Sequence, residues 1–197
     1  MRQSNLFHGG ADDAVANLPA GFRYMPDLLP AEQESRLASQ IATLPLKPFE
    51  FHGYLANRRV INFGFRYDYS HREVASCPEM PPFILELRAK IAGFAGRKPE
   101  EFRQVQISEY SPGAGIGWHR DKPQFGEVVG VSLLSTATLR LRRRASQGWQ
   151  RISTLIEPRS AYLLGGDVRH LWEHSIPAMT TLRYALTFRT LADDFAS

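Results

Sequence analysis

Two residues near the middle of the chain, His119 and Asp121, have types and a spacing that suit a metal ion. On a β-strand, side chains two residues apart project from the same face, so an imidazole and a carboxylate at this spacing can bind one ion together. The pair alone is a weak signal, because a surface histidine beside an acidic neighbour has the same pattern. The glycines at positions 113, 115 and 117 strengthen it, since they keep the preceding backbone narrow enough for a ligand to approach.

A third ligand from a distant segment would complete a set of two histidines and one carboxylate. His170 and His174 are both candidates, and their spacing does not choose between them. Such a set binds ferrous iron on one face of an octahedron and leaves the other positions open for a co-substrate and O2. The constellation therefore indicates an oxygenase, with Trp118 and Trp172 as neighbours that would help to exclude water.

A second constellation lies on the predicted strand 182–191, whose alternating residues form two different faces. One face is apolar and must be core. The other has arginines at its ends and small residues between them: Arg183, Ala185, Thr187 and Arg189. Roughly 20 Å of strand separates the two arginine Cα atoms, and side chains leaning inward would leave a gap near the length of a five-carbon dicarboxylic acid. The alternative is a solvated strand face with two surface arginines.

The periodicity of apolar residues predicts the elements that must position these side chains. Residues 30–44 and 81–96 have helical spacing, and Gly96 is suited to end the second helix. From residue 102 onward the period changes to two, with turn residues between the apolar runs. The predicted strands are residues 104–110, 127–134, 138–143, 149–156, 161–164, 169–174 and 182–191. Residues 51–69 alternate enough for short strands, although their aromatic and basic side chains suggest exposure rather than core.

Helices followed by many short strands predict an α+β domain whose later part is a double-sheet jelly roll or barrel. A length of 197 residues fits one domain, and we expect a monomer in which residues 1–20 form a loosely ordered arm. The sequence lacks the roughly 18 consecutive apolar residues that a membrane span needs, and we expect no signal peptide. The single cysteine, Cys77, fits a reducing cytoplasm.

Arginine dominates the basic residues, with 20 arginines among the 24 lysines and arginines and a net charge of +4. Arginine suits the recognition of phosphate and carboxylate groups, because its planar fork donates paired hydrogen bonds. A compositional bias of the genome would produce the same count without functional meaning. The charge is therefore compatible with nucleic acid and does not establish it.

Three ordered motifs resemble those of the AlkB family of iron(II)/2-oxoglutarate dioxygenases. They are YSPGAGIGWHRDK at 110–122, RHLWEHSIP at 169–177 and RYALTFR at 183–189, and the resemblance extends over about residues 20–191. It implies that His119, Asp121 and His174 bind Fe(II), which excludes His170 from that role.

The same resemblance implies the rest of the cofactor site and the fold. It assigns the binding of 2-oxoglutarate to Tyr110, Arg183 and Arg189, with Ser108 nearby. The implied fold is a double-stranded β-helix (a jelly roll) with N-terminal helices packed on one sheet. A substrate-recognition lid is expected at about residues 51–70.

By the resemblance, substrate contacts are expected from aromatic and basic residues of the lid and of the site entrance. The candidates are Tyr67, Tyr69, Arg58, Arg59 and Trp118. The chain also departs from the family pattern. Ser108 and Ala185 stand where the best-known members have asparagine, and Pro123 and Gln124 replace acidic residues that contact the damaged base in the founding member.

The implied function is oxidative removal of N-alkyl groups from bases of DNA or RNA, with release of succinate, CO2 and an aldehyde. A related oxygenase acting on a protein or a small molecule is the alternative that the substituted base-contact positions favour. A binding module without turnover is a third reading. The run Arg140–Arg144 would contact phosphates in the first case, or would simply protect a solvated edge strand.

Overall fold

The computed structural model describes residues 18–51, 54–68 and 73–195, with backbone alone for residues 51, 54, 66–68, 73–76 and 194. In chain order the strands are β1 (Phe22–Met25), β2 (Lys47–Phe51), β3 (Tyr54–Phe63), β4 (Phe65–Asp68), β5 (Glu73–Ser76), β6 (Phe102–Tyr110), β7 (Ile116–His119), β8 (Phe125–Leu133), β9 (Ala137–Arg144), β10 (Trp149–Ile156), β11 (Ala161–Leu164), β12 (Glu173–Ile176) and β13 (Arg183–Leu191). The helices are α1 (Ala31–Ala42), α2 (Pro82–Ala95) and α3 (Gly166–Leu171), with 3₁₀ turns at Pro99–Glu101 and Asp193–Phe195. None of the helices in the described ranges is long and apolar enough to cross a membrane. Most of the predicted arm, residues 1–17, lies outside the described residues.

The described strands form two large sheets and one small one. A seven-stranded sheet has the order β1-β11-β8-β13-β6-β3-β2, a four-stranded sheet has the order β10-β9-β12-β7, and β4 pairs with β5. From β6 onward the chain passes repeatedly between the large sheets, with β6, β8, β11 and β13 in the first and β7, β9, β10 and β12 in the second. This alternation is the strand pattern of a double-sheet jelly roll, in agreement with the predicted α+β class.

The two long helices begin and end where the sequence favours it. Pro30 and Pro81 precede α1 and α2, and Gly96 follows α2 with a φ of 74°, a left-handed conformation that glycine adopts without steric cost. Their buried residues, among them Ile41 and Ile91, lie in one core cluster with side chains of β6, β8 and β13. The helices therefore bury one face of the seven-stranded sheet, and its other face is left toward the four-stranded sheet.

Two sequence expectations about elements were wrong. Residues 169–174 do not form one strand, because α3 occupies Gly166–Leu171 and β12 starts at Glu173. A six-residue helix and a strand produce similar short apolar patterns, so periodicity did not separate them. The expectation of exposure at 51–69 also failed for β3, which lies between β2 and β6 in the large sheet and buries Phe63 in the core.

A second core cluster fills the space between the two large sheets. It includes Tyr110, Leu139, Tyr162 and Trp172, and it is separate from the cluster under the helices. Packing here is incomplete, since a cavity of about 680 Å³ opens between the sheets. That volume lies in the range of small-molecule and cofactor sites.

Candidate functional site

The cavity brings together the residues that the sequence selected for a metal ion. His119 at the end of β7 and His174 on β12 are paired neighbours across the two antiparallel strands, with ring centroids 4.2 Å apart. Asp121 lies two residues beyond the end of β7, and its Oδ2 is 3.6 Å from His174 Nε2. Strand pairing therefore fixes the two imidazoles side by side, with the carboxylate next to them.

The other candidate histidine, His170, lies elsewhere. It is exposed on α3, and its backbone carbonyl accepts a hydrogen bond from Arg120. The helical turn that replaces the predicted strand sends residue 170 outward, while residue 174 continues onto β12. The placement separates the two candidates that spacing alone left open.

Hydrogen bonds orient the converging groups. His119 Nδ1 lies 2.9 Å from the Gly117 carbonyl oxygen, which accepts its proton and leaves Nε2 with a free lone pair. Arg189 Nε donates to Asp121 Oδ1 at 2.7 Å. The carboxylate therefore has one oxygen held by a guanidinium and the other, Oδ2, facing His174. This arrangement suits a single-oxygen metal ligand.

Electrostatics give these groups the protonation states that a divalent cation requires. Burial, together with the neighbouring His119 imidazole, lowers the pKa of His174 to about 3, and burial likewise lowers the pKa of His119. Burial opposes the charge of Asp121, but Arg189 and the two imidazoles outweigh it and hold the pKa of that carboxyl well below its usual range. At neutral pH the site offers two neutral imidazoles and one carboxylate, the donor set of ferrous iron.

The donor types of the site match those of a metal centre, but their positions do not form a complete ligand set. Among the described residues, no three His, Cys, Asp or Glu side chains are arranged closely enough to hold an ion. The separation of 3.6 Å between Asp121 Oδ2 and His174 Nε2 is too long for a direct hydrogen bond. The donor types fit Fe(II), and the arrangement is held by Arg189 and Gly117 rather than by contacts among the three donors.

A buried arginine that the sequence analysis did not select holds the loop carrying Asp121. Arg169 on α3 donates to the backbone carbonyls of Asp121, Lys122, Phe125 and Gly126. Four acceptors along a short loop fix its path between β7 and β8. The arginine stood in a quoted motif beside His170, but nothing in its type or spacing indicated this role.

The arginine at the other end of β13 lies buried on the cavity floor. Arg183 is 1% exposed, and its Nε donates to Ser132 Oγ at 2.9 Å. Its Cζ lies 5.3 Å from the ring centre of Tyr110, the residue of β6 that is paired with it. Ser108, also on β6, lines the same cavity. Among the described residues, no carboxylate pairs with Arg183. A buried guanidinium without a carboxylate is a strong site for an acidic ligand.

Arg189, in contrast, already has its partners. Besides Asp121, it donates from an Nη atom to Gln104 Oε1 at 2.8 Å. The two arginines share the cavity-facing side of β13, as the alternation predicted, but their environments differ. One holds a carboxylate of the protein, and the other lies where a carboxylate would have to come from outside.

Tyr162 on β11 is a cavity residue that the sequence analysis missed. Its ring lies directly over Gly130 of β8, where an added Cβ would come within 2.5 Å of the ring carbon and of the hydroxyl. Burial raises the pKa of Tyr162 to about 12, so its hydroxyl remains a hydrogen-bond donor. The signal that could have found it is Gly130 among the valines 128, 129 and 131 of β8, since a glycine within a strand indicates close approach of another group.

The expected substrate contacts divide into two groups. Arg58 and Trp118 line the cavity, and Arg58 is 6% exposed with its Cζ 4.0 Å from the ring centre of Phe49. Arg59 does not line the cavity, because it binds both oxygens of Glu109 at 2.8 and 2.7 Å on the opposite face of the sheet. Alternation along β3 sends residues 58 and 59 to opposite faces. The Tyr67 side chain and all of Tyr69 lie outside the described residues.

The predicted glycine run serves the backbone more than a ligand. A Cβ at Gly115 would lie 2.8 Å from the Ile176 carbonyl oxygen, whereas a Cβ at Gly113 or Gly117 would meet no atom within 4 Å. Gly115 therefore allows the segments before β7 and after β12 to approach closely. That contact helps to hold the strands of His119 and His174 together.

Comparison with known proteins agrees with this geometry. The sequence profile of the 2OG-Fe(II) oxygenase superfamily matches residues 21–189. The "Alkylated DNA repair protein ALKBH8 homolog" of Arabidopsis thaliana is 26% identical over 189 residues, 84% of this chain and 53% of that protein. The "tRNA (carboxymethyluridine(34)-5-O)-methyltransferase ALKBH8" of Mus musculus is 28% identical over 167 residues, 81% of this chain and 24% of that protein. The chain thus spans about half or less of the length of these relatives.

A solved structure shows the same fold. The structure of OsALKBH1 superposes with a TM-score of 0.65 at 16% identity and covers 88% of this chain and 98% of that one. The superfamily uses Fe(II), 2-oxoglutarate and O2, which are the cofactors and co-substrates that a donor set of two imidazoles and one carboxylate beside a buried guanidinium suits. The curated relatives that the chain resembles are named as ALKBH8 proteins, and the chain belongs to the 2OG-Fe(II) oxygenase superfamily.

Proposed function

We propose that this protein is an Fe(II)- and 2-oxoglutarate-dependent dioxygenase that oxidatively removes N-alkyl groups from nucleic-acid bases. The observation that carries the proposal is the content of one cavity. Two neutral imidazoles and a carboxylate converge at one end, and a buried guanidinium without a described carboxylate partner lies on the same floor. The whole chain, residues 1–197, acts as one catalytic domain in this proposal.

His119, Asp121 and His174 would hold the iron. When bound, the iron with 2-oxoglutarate and O2 supplies the oxidising chemistry, which converts 2-oxoglutarate to succinate and CO2 and hydroxylates the alkyl carbon of the substrate. The Gly117 carbonyl fixes the His119 tautomer, and Arg189 holds one oxygen of Asp121 so that the other points at the metal position. The role of the chain is orientation and exclusion of water.

The buried end of the floor would hold the co-substrate. Arg183 donates to its distal carboxylate, with Tyr110 beside it and Ser108 on the adjacent strand position. Pairing would satisfy the guanidinium in a site that excludes water, where a charge-assisted bond is strong. Arg189 would steady the end of the co-substrate nearer the metal.

The substrate assignment draws on the site entrance and on the relatives. Hydroxylation of an N-alkyl carbon gives a hemiaminal, which releases an aldehyde and restores the base. A base must leave its stack to enter such a cavity, and aromatic and arginine side chains favour this step. Arg58 and Trp118 lie at the cavity. Because β3 is held within the large sheet, the part of the segment 51–70 that would close over the base as a lid is the part outside β3. The names of the relatives refer to alkylated DNA and to tRNA.

A protein or small-molecule substrate is the second candidate. It is favoured by Pro123 and Gln124, which stand where the founding member of the family has base-contacting acidic residues. Neither residue lines the cavity. Recognition of a base at this edge would therefore have to come from other side chains.

The test measures succinate and formaldehyde from purified protein with Fe(II), 2-oxoglutarate and methylated substrates. Single-stranded DNA, duplex DNA, tRNA and methylated peptides are compared at equal methyl concentration. We expect formaldehyde from at least one nucleic acid and none from the peptides. Formaldehyde from the peptides alone would replace the proposal with the second candidate.

A matched pair of histidine variants tests the site. His174→Ala should abolish both products, because it removes an iron ligand. His170→Ala should retain them, because His170 lies exposed on α3 and contributes its backbone carbonyl. Turnover by His174→Ala at the wild-type rate would overturn the assignment.

A further inference from the structure

We infer that the outer face of the four-stranded sheet binds the phosphodiester backbone of a nucleic acid next to the base in the catalytic cavity. This inference rests on the proposed function and assigns the flanking part of the substrate. A second cavity of about 570 Å³ opens near the end of this sheet where β9 meets β10. It is lined by Arg142, Arg144, Trp149 and Glu173 of the outer face, by Arg143 of the opposite face and by Arg120. We call this set the outer arginine site.

Tryptophans hold the arginines of β9 in place. The Arg142 guanidinium lies between two indoles, with its Cζ 4.4 Å from the Trp118 ring centre and 4.2 Å from that of Trp149. Arg144 projects from the same face of β9, and its Cζ lies 5.0 Å from the Trp149 ring centre. Stacking engages the flat faces of guanidinium groups and leaves their N–H edges directed sideways. The result is a row of oriented donors rather than mobile surface charges.

The described hydrogen bonds engage a small part of this donor capacity. Arg142 uses Nε on Glu173 at 2.6 Å, Arg143 uses Nε on Gln150 at 2.8 Å, and Arg120 uses one Nη on the His170 carbonyl. A guanidinium has five N–H donors. Four arginines and one glutamate line the cavity, an excess of three positive charges. Such an excess around a concave site attracts an anion with several charges.

The outer arginine site adjoins the catalytic cavity. Arg120 lines both cavities, and it lies between His119 and Asp121 in the chain. Trp118 lines the catalytic cavity as well, while its ring supports Arg142. A nucleic-acid strand with one base in the catalytic cavity would therefore have its next phosphates beside Arg120 and then beside β9.

The spacing favours a chain of phosphates over a single free anion. Arg142 and Arg144 project from the same face of β9, two residues or about 6.6 Å apart. This separation resembles that of successive phosphates along an extended strand. Trp149 between them also offers an aromatic surface of the kind on which bases stack.

The experiment measures binding of a fluorescently labelled, methylated single-stranded oligonucleotide by anisotropy at several salt concentrations. Each phosphate contact contributes about 0.7 to the slope of log K against log salt for single strands. Arg144→Gln should weaken binding several-fold and lower the slope by about that amount, and Arg142→Gln/Arg144→Gln should lower it by about twice as much. The matched control is Arg36→Gln on the exposed side of α1, which should leave affinity and slope unchanged.

The outcomes separate this inference from the proposed function. The inference alone would be overturned by the following result. The wild-type protein releases formaldehyde from oligonucleotides, and both arginine variants bind oligonucleotides with the wild-type salt slope. Absence of oligonucleotide binding and turnover by the wild type would overturn both. Pyrophosphate or polyglutamate binding as tight as the oligonucleotide, and equally dependent on Arg144, would show an unspecific anion site and also overturn it. Retained 2-oxoglutarate affinity in the variants reports that the inner site is folded.

Discussion

Arginines are used differently on the inner and outer sides of this protein. On β13, Arg183 and Arg189 point between the sheets, where they have little contact with water. Arg183 donates to Ser132, and Arg189 donates to Asp121 and Gln104. On β9, Arg142 and Arg144 lie on the outer face, stacked on tryptophans and partly or fully open to solvent. The residue type is the same, but the cost of leaving its charge unpaired is not.

The difference follows from the dielectric surroundings. A buried charge is costly unless it is paired, so inside the cavity each guanidinium selects a carboxylate, from the protein or from a ligand. Outside, water and salt screen the charge, so several arginines can stand together without a carboxylate for each. The inner pair thus suits one acid in one orientation, and the outer group suits a polyanion in many registers. Substitutions should therefore have large effects inside and small effects outside.

The largest expected effect on stability comes from Asp121→Asn in metal-free protein. This variant leaves the Arg189 guanidinium buried and unpaired, and breaking a buried pair in this way costs about 3–5 kcal/mol. Urea unfolding in the presence of a chelator measures the loss. Adding Arg189→Met should recover part of it, because the unpaired charge is then gone.

The outer counterpart of that variant is Glu173→Gln, which removes the carboxylate partner of Arg142. Both side chains of this pair are partly exposed, so the loss should stay below about 1 kcal/mol. Equal losses for the two variants would contradict the contrast between inner and outer arginines.

The pH dependence of metal-free stability is the next largest effect. Because burial lowers the pKa of His174 to about 3, the unfolded chain binds a proton below pH 6.5 that the folded protein does not. Stability should therefore fall as the pH decreases from 6.5, by about 1.4 kcal/mol per unit and about 3 kcal/mol over two units. Unfolding free energies of His174→Gln should show a flatter profile, whereas His170→Gln should follow the wild type.

Local alternation accounts for what the sequence predicted well. The strands β10 and β11 have the predicted bounds, and the two faces of β13 are as expected, because period two is a property of the strand itself. The convergence of residues 119, 121 and 174 agrees with the ordered motifs of the family resemblance. The roles of these residues as ligands remain predictions until the variants above are measured.

The positions of Arg59 and Tyr162 depend on information that lies outside any short window. Arg59 was expected at the substrate, but its direction follows from the register of β3 against β6, which sets it opposite Glu109. Tyr162 reaches the floor because β11 pairs with β8 at Gly130, two strands that lie about 30 residues apart in the chain. Pairing register between distant segments is not encoded in composition or local period.

Arg183→Met tests whether the buried Arg183 guanidinium, which has no described carboxylate partner, binds the co-substrate. It should weaken 2-oxoglutarate binding about 100-fold, since it removes a desolvated carboxylate partner. In the absence of co-substrate the same variant should be as stable as the wild type or more stable, because a buried unpaired charge is replaced by an apolar side chain. Calorimetric titration and urea unfolding measure the two effects. Reduced stability with unchanged affinity would show that Arg183 supports the fold rather than the ligand.

Tyr162, which lines the same cavity, should have a smaller effect on 2-oxoglutarate affinity. Tyr162→Phe removes a buried cavity hydroxyl that interacts electrostatically with both Arg183 and Arg189. About a tenfold loss of 2-oxoglutarate affinity is expected for one hydrogen bond to a charged group. Gly130→Ala should give a similar or greater loss, because its Cβ would displace the Tyr162 ring. The double variant Gly130→Ala/Tyr162→Phe separates the causes. If Gly130→Ala acts through the hydroxyl, the two losses should not add.

The smallest expected effect on stability comes from Arg142 in the outer arginine site. Arg142→Gln removes a guanidinium held between Trp118 and Trp149, and stacking at a partly exposed site is worth about 0.5–1 kcal/mol. Urea unfolding should therefore shift by no more than about 1 kcal/mol, while oligonucleotide affinity falls. Arg36→Gln, on the exposed side of α1, is the matched control. A loss of stability as large as that of Asp121→Asn would mean that the stacked Arg142 holds the sheet together. The inner and outer arginines would then both serve to stabilise the fold.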